Sequence, residues 1–221
     1  MSGALDGALR RGQLVFRRLW RVQDHGDLIR SLLADVKPAT QRRLLFVETG
    51  CGFSTLALAE VAARVGADVY SCEMNAQKIA ELRARGGDAL ADVHFLEGDS
   101  LTSLARIAAH HEQIDFALFD SAPSATHTLR EFQLLEPRLV AGSRVLVDDA
   151  ALPGARLLLS PCRKGRLLVP YLLASPFWRV KAHPRAGDSM VSAVHDLIGA
   201  RADATYEDPS YVARWREAFQ S

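Results

Sequence analysis

The sequence lacks the features that would place it in an oxidising compartment, in a membrane or on a nucleic acid. Its 3 cysteines, Cys51, Cys72 and Cys162, are odd in number and are not spaced as a zinc site, which favours free thiols in a reducing compartment. Its longest apolar runs are far shorter than the ~18 residues of a membrane span. A formal net charge of +1 gives no bulk field that would draw the chain to nucleic acid. We therefore expect a cytoplasmic protein that binds neither membranes nor nucleic acids.

Short apolar runs and longer helical segments alternate along most of the chain. Its 221 residues, 48% of them hydrophobic, suit one large α/β domain with residues left over for appendages. The predicted strands span 44–47, 67–73, 93–97, 114–120 and 143–148, and the helices between them span 55–64, 76–85, 101–110 and 126–135. This alternation is typical of a parallel sheet covered by helices on both faces. It predicts a Rossmann-like, doubly wound α/β fold.

The N-terminal part of the chain precedes this pattern. Residues 1–40 are predicted to form a helical appendage, with helices over 4–21 and 28–36, ahead of the main domain over 41–198. Three roles are open for the appendage: it packs on the core, covers a substrate pocket or pairs with another subunit. Apolar residues in the terminal helices make a homodimer one expectation.

The C-terminal part changes its pattern after the fifth strand. A helix is predicted over 161–174, and 178–184 with 190–195 predict a hairpin, so that the sheet is mostly parallel and closes with an antiparallel strand. A final helix beginning near residue 208 belongs to a helical tail over 199–221.

Residues 44–55 are the stretch around which the chain is organised. A short apolar run leads into Glu48, and Gly50 and Gly52 follow in a loop that can turn sharply and admit a ligand close to the backbone. Ser54 then begins an Ala- and Leu-rich helix. A strand, a Gly-x-Gly loop and a helix in this order predict a nucleotide-type site at the carboxyl end of a strand.

Each predicted strand ends in a carboxylate. The five acids are Glu48, Glu73, Asp99, Asp120 and Asp148, the last followed by Asp149. One acid after a strand is usually a turn residue or a helix cap. Five at the same edge of a sheet repel one another unless cations or hydrogen bonds compensate. This accumulation favours a ligand that carries positive charge or exposes hydroxyl and amine donors.

Two positions separate the cofactor classes that bind to such a loop. The carboxylate of Glu48 would repel a dinucleotide's pyrophosphate, and Thr55 stands where the dinucleotide fingerprint has a third glycine. S-adenosylmethionine carries no phosphate and is cationic at its ammonium and sulfonium groups. Glu73 lies about 20 residues after the glycines, where an acid that binds ribose hydroxyls is expected. These residues favour S-adenosylmethionine over NAD(P), and an NAD(P)-dependent oxidoreductase is the alternative enzyme class.

The same segments resemble the class I S-adenosylmethionine-dependent methyltransferases and, more narrowly, the catechol-type small-molecule O-methyltransferases. The matching pieces lie at 48–54, 73–75, 98–100, 119–120 and 145–149, with Pro153-Gly154 shortly after. Together they cover about half of the chain, from residue 44 to residue 154.

The resemblance implies a role for each matched position around the cofactor. At the methionine part of the cofactor, Gly50 and Gly52 would line the site, Ser54 would hold the carboxylate and Glu48 would lie near the ammonium. Glu73 would bind the ribose hydroxyls. At the adenine, Met74 would pack on the ring, and Asp99 and Ser100 would contact its edge. Asp120 would belong to both the cofactor-binding and the catalytic residues.

The resemblance also implies a divalent cation, with Mg²⁺ expected, held by Asp120, Asp148 and Asp149. Such an ion would activate the oxygen of a small hydroxylated acceptor for attack on the methyl carbon. The sequence departs from the family at Asp149, where asparagine is usual, and at 121–123, where a catalytic lysine is expected and Ser-Ala-Pro stands instead. Either the metal alone activates the acceptor, or His127 acts as the base, or the chemistry differs.

Other functions stay open alongside metal-assisted O-methylation. One is metal-independent methylation of another acceptor, such as a sugar, an amine or a protein side chain. Another is a non-catalytic module that binds the cofactor and turns over no acceptor.

Overall fold

The computed structural model describes residues 25–150, 163–183 and 190–196. The helices predicted over 4–21 and from residue 208, the Pro153-Gly154 pair and Cys162 lie outside these ranges. No helix within the described ranges is long and apolar enough to cross a membrane.

Seven strands and six α-helices make up the described part of the fold. In chain order they are α1 (His25–Leu32), β1 (Leu44–Thr49), α2 (Phe53–Val65), β2 (Ala67–Glu73), α3 (Ala76–Gly86), β3 (Val93–Glu97), α4 (Ser100–His110), β4 (Ile114–Phe119), α5 (Ala125–Leu135), β5 (Leu139–Val147), α6 (Gly165–Ala174), β6 (Trp178–His183) and β7 (Met190–His195). Short 3-10 turns at Gly87–Leu90 and Glu136–Arg138 follow α3 and α5.

The strands form one sheet in the order β3-β2-β1-β4-β5-β7-β6. The first five strands pair in parallel, whereas β7 is antiparallel to both β5 and β6. The order reverses between β1 and β4, which is where ligands bind in open α/β sheets. The predicted mostly parallel sheet with a closing antiparallel hairpin is confirmed.

The pleat of β1 divides the core into two layers. Leu45 and Val47 pack in the layer that contains the buried residues of α4, α5 and α6, and Leu44 and Phe46 pack in the layer that contains those of α1, α2 and α3. All six residues of β1 are buried because helices cover both faces of the strand. The centre of the sheet is therefore rigid, and its carboxyl edge can hold side chains at fixed positions.

The helix predicted over 28–36 is α1, which begins earlier and ends at Leu32. Asp27 lies within the first turn of α1, where an acid is favourable near the helix N-terminus. Leu28 and Ile29 are buried in the same core layer as α2. Of the three roles left open for the N-terminal appendage, α1 takes the first, since it packs on the core.

The fifth strand differs from its prediction. The strand predicted over 143–148 is longer in the structure, where β5 begins at Leu139 and passes through residues 140–142. Gly142 has φ +88°, and the pairing of β5 with β4 shifts register between Ile114 and Phe116. β5 advances five residues where β4 advances two, so the residues around Gly142 leave the ladder with β4 before pairing resumes at Arg144.

Candidate active site

A cavity of about 280 Å³ opens at the carboxyl edge of the sheet, between the ends of β1, β2 and β4. Six predicted site residues line it: Gly50, Glu73, Met74, Ser100, Asp120 and His127. Cys72, Lys78, Gly98, Ser121 and Ala122 complete the lining. The strand ends that the sequence pattern brings together therefore do meet around one cavity.

Gly50 forms the closest backbone approach in this cavity. Its φ is +85°, and a Cβ atom there would overlap the carbonyl oxygen of Asp120. The Gly50 N–H donates to the Cys72 carbonyl at 2.8 Å, and the Asp120 N–H donates to the Thr49 carbonyl at 2.9 Å. These bonds hold the glycine loop between β2 and β4, and only glycine suits that position.

Gly52 and Thr55 close the other side of the loop. The Gly52 N–H donates to Thr55 Oγ1 at 2.8 Å, which satisfies one of the free backbone donors at the start of α2. No atom of the described residues, chain neighbours aside, lies within 4 Å of a Cβ placed on Gly52. Thr55 therefore caps the helix at the position where a dinucleotide fingerprint would have glycine.

Glu48 is fully buried at the end of β1. Its two carboxylate oxygens accept hydrogen bonds from Ser71 Oγ at 2.7 Å and Ser54 Oγ at 2.9 Å. The β1–β2 register places Ser71 directly opposite Glu48. Burial raises the pKa of Glu48 to about 7, against the opposing effect of these hydroxyl donors. Ser54 was predicted to hold the cofactor's carboxylate, and in this structure its hydroxyl donates to Glu48.

Glu73 lies at the end of β2 with its carboxylate facing the loop that carries Gly50. Its oxygens accept from the backbone N–H groups of Asn75 at 3.0 Å and Cys51 at 3.2 Å, and from Lys78 Nζ at 2.8 Å. Burial favours a higher pKa, but the hydrogen bonds from Lys78 and these N–H groups outweigh it and lower the pKa of Glu73. The neighbouring Met74 is 75% exposed at the mouth of the cavity.

Asp99 and Ser100 begin α4 in different ways. The Asp99 carboxylate accepts from the Thr102 N–H at 2.9 Å, so it caps the helix. Ser100 Oγ lies 2.8 Å from His127 Nε2 in the cavity wall. The cavity lining includes Ser100 and does not include Asp99.

A buried glutamate on α5 organises this wall from behind. Glu131 is 0% exposed and accepts from Ser121 Oγ at 2.6 Å and from Thr49 Oγ1 at 3.3 Å. His127 Nε2 lies 3.2 Å from Glu131 Oε1, one helical turn away. His127, the predicted base, is thus held within a polar network that also reaches Ser100.

Asp120 and Asp148 share a buried lysine. The Lys164 ammonium donates to Asp120 Oδ1 and lies 3.8 Å from Asp148 Oδ2. Burial, with the adjacent Asp120 charge, raises the pKa of Asp148 to about 6. His25 Nε2 on α1 lies 3.5 Å from Asp148 Oδ1.

The acids do not fit a divalent metal as they are placed. Among the described residues, no three His, Cys, Asp or Glu side chains are grouped closely enough to hold a metal ion. Asp149 accepts from Arg163 at 2.8 Å, and the Lys164 ammonium lies between the other two acids. The predicted set of Asp120, Asp148 and Asp149 is therefore not assembled as a cation site.

Five residues of the site were not identified from the sequence: His25, Lys78, Glu131, Arg163 and Lys164. Lys78 is the one that the sequence could most easily have predicted, since it lies on the helix that directly follows Glu73. Lys164 and its partner Asp120 are 44 positions apart in the chain, and His25 and its partner Asp148 are 123 positions apart. No local sequence pattern predicts such contacts.

A second, larger groove of about 800 Å³ lies away from these acids. Its lining consists of residues from α4 and α5 alone and contains no carboxylate. None of the predicted site residues lines this groove.

Comparisons with known proteins agree with this geometry. Residues 47–150, just under half of the chain, match a family model described as a methyltransferase domain. No curated protein sequence matches the chain.

Solved structures give the fold. The chain is similar to the O-methyltransferase TomG from Streptomyces achromogenes in complex with S-adenosylmethionine, at 17% identity over 77% of this chain and 79% of that one, with a TM-score of 0.61. It is also similar to the methyltransferase PaMTH1 from Podospora anserina bound to S-adenosylhomocysteine (18% identity, 77% of each chain, TM-score 0.56). Human methyltransferase-like protein 13 in complex with S-adenosylhomocysteine is similar at 15% identity over 89% of this chain and 90% of that one, with a TM-score of 0.56. Residues 47–150 are thus similar to a methyltransferase domain, and the chain shares its fold with methyltransferases solved with S-adenosylmethionine or S-adenosylhomocysteine.

Proposed function

We propose that this protein is an S-adenosylmethionine-dependent methyltransferase and that it transfers the methyl group to a hydroxyl oxygen of a small-molecule acceptor. The observation that carries the proposal is the position of Asp120. It lines the cavity expected to hold the cofactor, and its carboxylate also belongs to the cluster with Asp148 and Lys164. An acceptor held by that cluster lies beside the cofactor pocket, so that one site positions both reactants.

The cavity suits S-adenosylmethionine on the side of β1 and β2. Gly50 has no side chain that would block a ligand lying along the glycine loop, and the Met74 side chain offers an apolar surface at the mouth of the cavity. The Glu73 carboxylate already accepts three hydrogen bonds, but a carboxylate has about four acceptor positions, and one is left for a ribose hydroxyl. Glu48 supplies a buried acid whose charge an ammonium group would stabilise.

The chemistry is a displacement at carbon. The cofactor supplies a methyl group on a sulfonium: an oxygen lone pair of the acceptor forms the new O–C bond, the C–S electron pair leaves with sulfur, and the hydroxyl proton passes to the Asp148 carboxylate. The chain contributes orientation and charge placement. Asp120 and Asp148 accept hydrogen bonds from the acceptor, and the Lys164 ammonium lies next to the oxygen that becomes negative.

The choice of oxygen over nitrogen follows from the charge balance. Two acids beside a cavity would favour a cationic amine, but the Lys164 ammonium pairs with both of them and offsets one of the two negative charges, which weakens that preference. A neutral acceptor with hydroxyl groups fits this arrangement. TomG, which shares the fold at 17% identity, is described as an O-methyltransferase, and this distant similarity supports the proposal.

A radiometric acceptor screen tests the proposal. The full chain is incubated with S-adenosylmethionine carrying a labelled methyl group and with separate panels of phenols, sugars and amines. We expect label on the oxygen of a phenol or sugar, identified by mass spectrometry. Asp148→Asn should lose most of this turnover, whereas Asp88→Asn, which changes an exposed acid after α3, should keep it. Labelling of amines alone, or of no acceptor in the panels, would contradict O-methylation.

A further inference from the structure

Lys164 is a buried cation between two acids that follow neighbouring strands. Its side chain is 5% exposed, its ammonium donates to Asp120 Oδ1, and the same nitrogen lies 3.8 Å from Asp148 Oδ2. Lysine is almost never fully buried unless its charge is paired. The two carboxylates supply that pairing, so the three groups form one compact charged cluster at the edge of the sheet.

The start of α6 fixes the position of this ammonium. A Cβ atom on Gly165 would lie 2.7 Å from Ala150 Cα, so glycine lets α6 approach the chain that follows β5. The same helix is anchored in the core by Leu168 and Leu172, both fully buried. Because Lys164 leaves the backbone at this close approach, its side chain begins within reach of both acids.

The third acid of the predicted metal set is held elsewhere. Asp149 has φ 51°, an uncommon conformation that Asp tolerates better than most residues, and its carboxylate accepts from Arg163 at 2.8 Å. Two consecutive cations, Arg163 and Lys164, thus pair with the three carboxylates and offset two of their three negative charges. The positive charge that the sequence led us to expect from a metal comes from the chain itself.

One oxygen of the cluster is left for a ligand. Asp148 Oδ1 is buried and receives no hydrogen bond from the described residues, although His25 Nε2 lies 3.5 Å away. A buried carboxylate oxygen without a donor is unusual in a native protein. The hydroxyl group of a bound acceptor would supply the donor that is absent.

We propose that Lys164 is the resident cation of the acceptor site and takes the part that a divalent metal has in catechol-type enzymes. The inference rests on the proposed O-methylation. The acceptor hydroxyl donates to Asp148 Oδ1, and its oxygen faces the Lys164 ammonium, whose charge stabilises the oxygen as its proton passes to the Asp148 carboxylate. Methyl transfer then proceeds without a divalent cation.

Calorimetric titration of the full-length protein with Mn²⁺ tests this assignment without any acceptor. Since an ammonium already pairs with the carboxylates, we expect no saturable binding by the wild type at millimolar Mn²⁺. Lys164→Ala leaves Asp120 and Asp148 without their cation, and we expect it to bind one Mn²⁺, which a further Asp148→Asn change removes. Lys181→Ala deletes an exposed lysine of β6 and is the matched control that binds none.

Two results would overturn the proposal: Mn²⁺ binding by the wild type that Asp148→Asn abolishes, or a folded Lys164→Ala protein that binds no Mn²⁺. Lys164→Gln keeps a donor for Asp120 but not the charge, and it takes the place of the alanine variant if that variant does not fold. The affinity for S-adenosylhomocysteine reports correct folding, and we expect it to stay within about twofold of wild type because Lys164 does not line the cofactor cavity.

Turnover provides the second readout once an acceptor is found. We expect EDTA to leave kcat unchanged and Lys164→Gln to lower it about 100-fold. Loss of wild-type turnover in EDTA that Mg²⁺ restores would contradict the assignment. If the wild type methylates no hydroxyl compound, the proposed O-methylation fails, and the Mn²⁺ titration still decides whether Lys164 fills the cation site.

Discussion

Replacing Glu48 with glutamine is predicted to stabilise the protein at alkaline pH. The carboxylate is fully buried, and burial raises its pKa from the ordinary value of 4.5 to about 7. A group whose pKa is raised by folding stabilises the folded state below its unfolded pKa, and this contribution is lost as the pH rises through the folded value. At about 1.4 kcal/mol per pH unit, keeping Glu48 ionised and buried at pH 8 costs the wild type about 3 kcal/mol.

Urea denaturation at pH 4, 6 and 8 measures this effect. Glutamine does not ionise, so the free energy of unfolding of Glu48→Gln relative to the wild type should rise by about 3 kcal/mol between pH 4 and pH 8, and at pH 8 it should exceed the wild-type value by about 1–3 kcal/mol. The lower bound allows for the hydrogen bonds from Ser54 and Ser71, which the amide replaces only in part. Glu60→Gln changes an exposed acid of α2 and should give a small difference that is the same at every pH.

A difference between Glu48→Gln and the wild type that stays constant across pH would refute this reasoning. The cofactor supplies the second half of the prediction. Because the ammonium of S-adenosylhomocysteine would lose its partner charge, we expect the glutamine variant to bind it about tenfold more weakly despite its greater stability. Unchanged affinity would mean that Glu48 supports the loop without contacting the ammonium.

Three further predictions concern the cavity wall. Gly50→Ala places a Cβ against the Asp120 carbonyl at a residue with φ +85°. Thermal unfolding should therefore show a free energy of unfolding lower by about 2 kcal/mol or more, and an unchanged value would refute the close approach. Glu73→Gln should weaken S-adenosylhomocysteine binding about tenfold by calorimetry, since the ribose hydroxyls lose a charged acceptor, and unchanged binding would remove Glu73 from the ribose site. His127→Ala should raise KM for the cofactor more than it lowers kcat, because His127 bonds to Ser100 in the cavity wall; a fall in kcat alone would instead make it the base.

The sequence predicted the parts of the site that depend on neighbours in the chain. The β1–loop–α2 unit follows from an apolar run, two glycines and an Ala-rich segment within about a dozen residues, and the structure places it as expected. The acids at the strand ends followed from the same local pattern. What the pattern could not decide was whether an acid caps a helix or faces the cavity, and Asp99 does the former.

The cations of the site depend on contacts between distant parts of the chain. Lys164 reaches Asp120 because α6 packs closely against the segment after β5, and His25 reaches Asp148 because α1 packs on the core. Neither position carries a motif, and a lysine or histidine near a helix start is usually solvated. The sequence therefore led us to expect a metal among the acids where the structure has an ammonium group.

Calorimetric titration of the purified protein with S-adenosylhomocysteine, with NAD as the parallel control, tests the central claim most directly. The account predicts saturable, one-to-one binding of S-adenosylhomocysteine and no heat of binding from NAD. Saturable binding of NAD with none of S-adenosylhomocysteine would contradict the assignment of the glycine loop, Glu48 and Glu73 to an adenosylmethionine site.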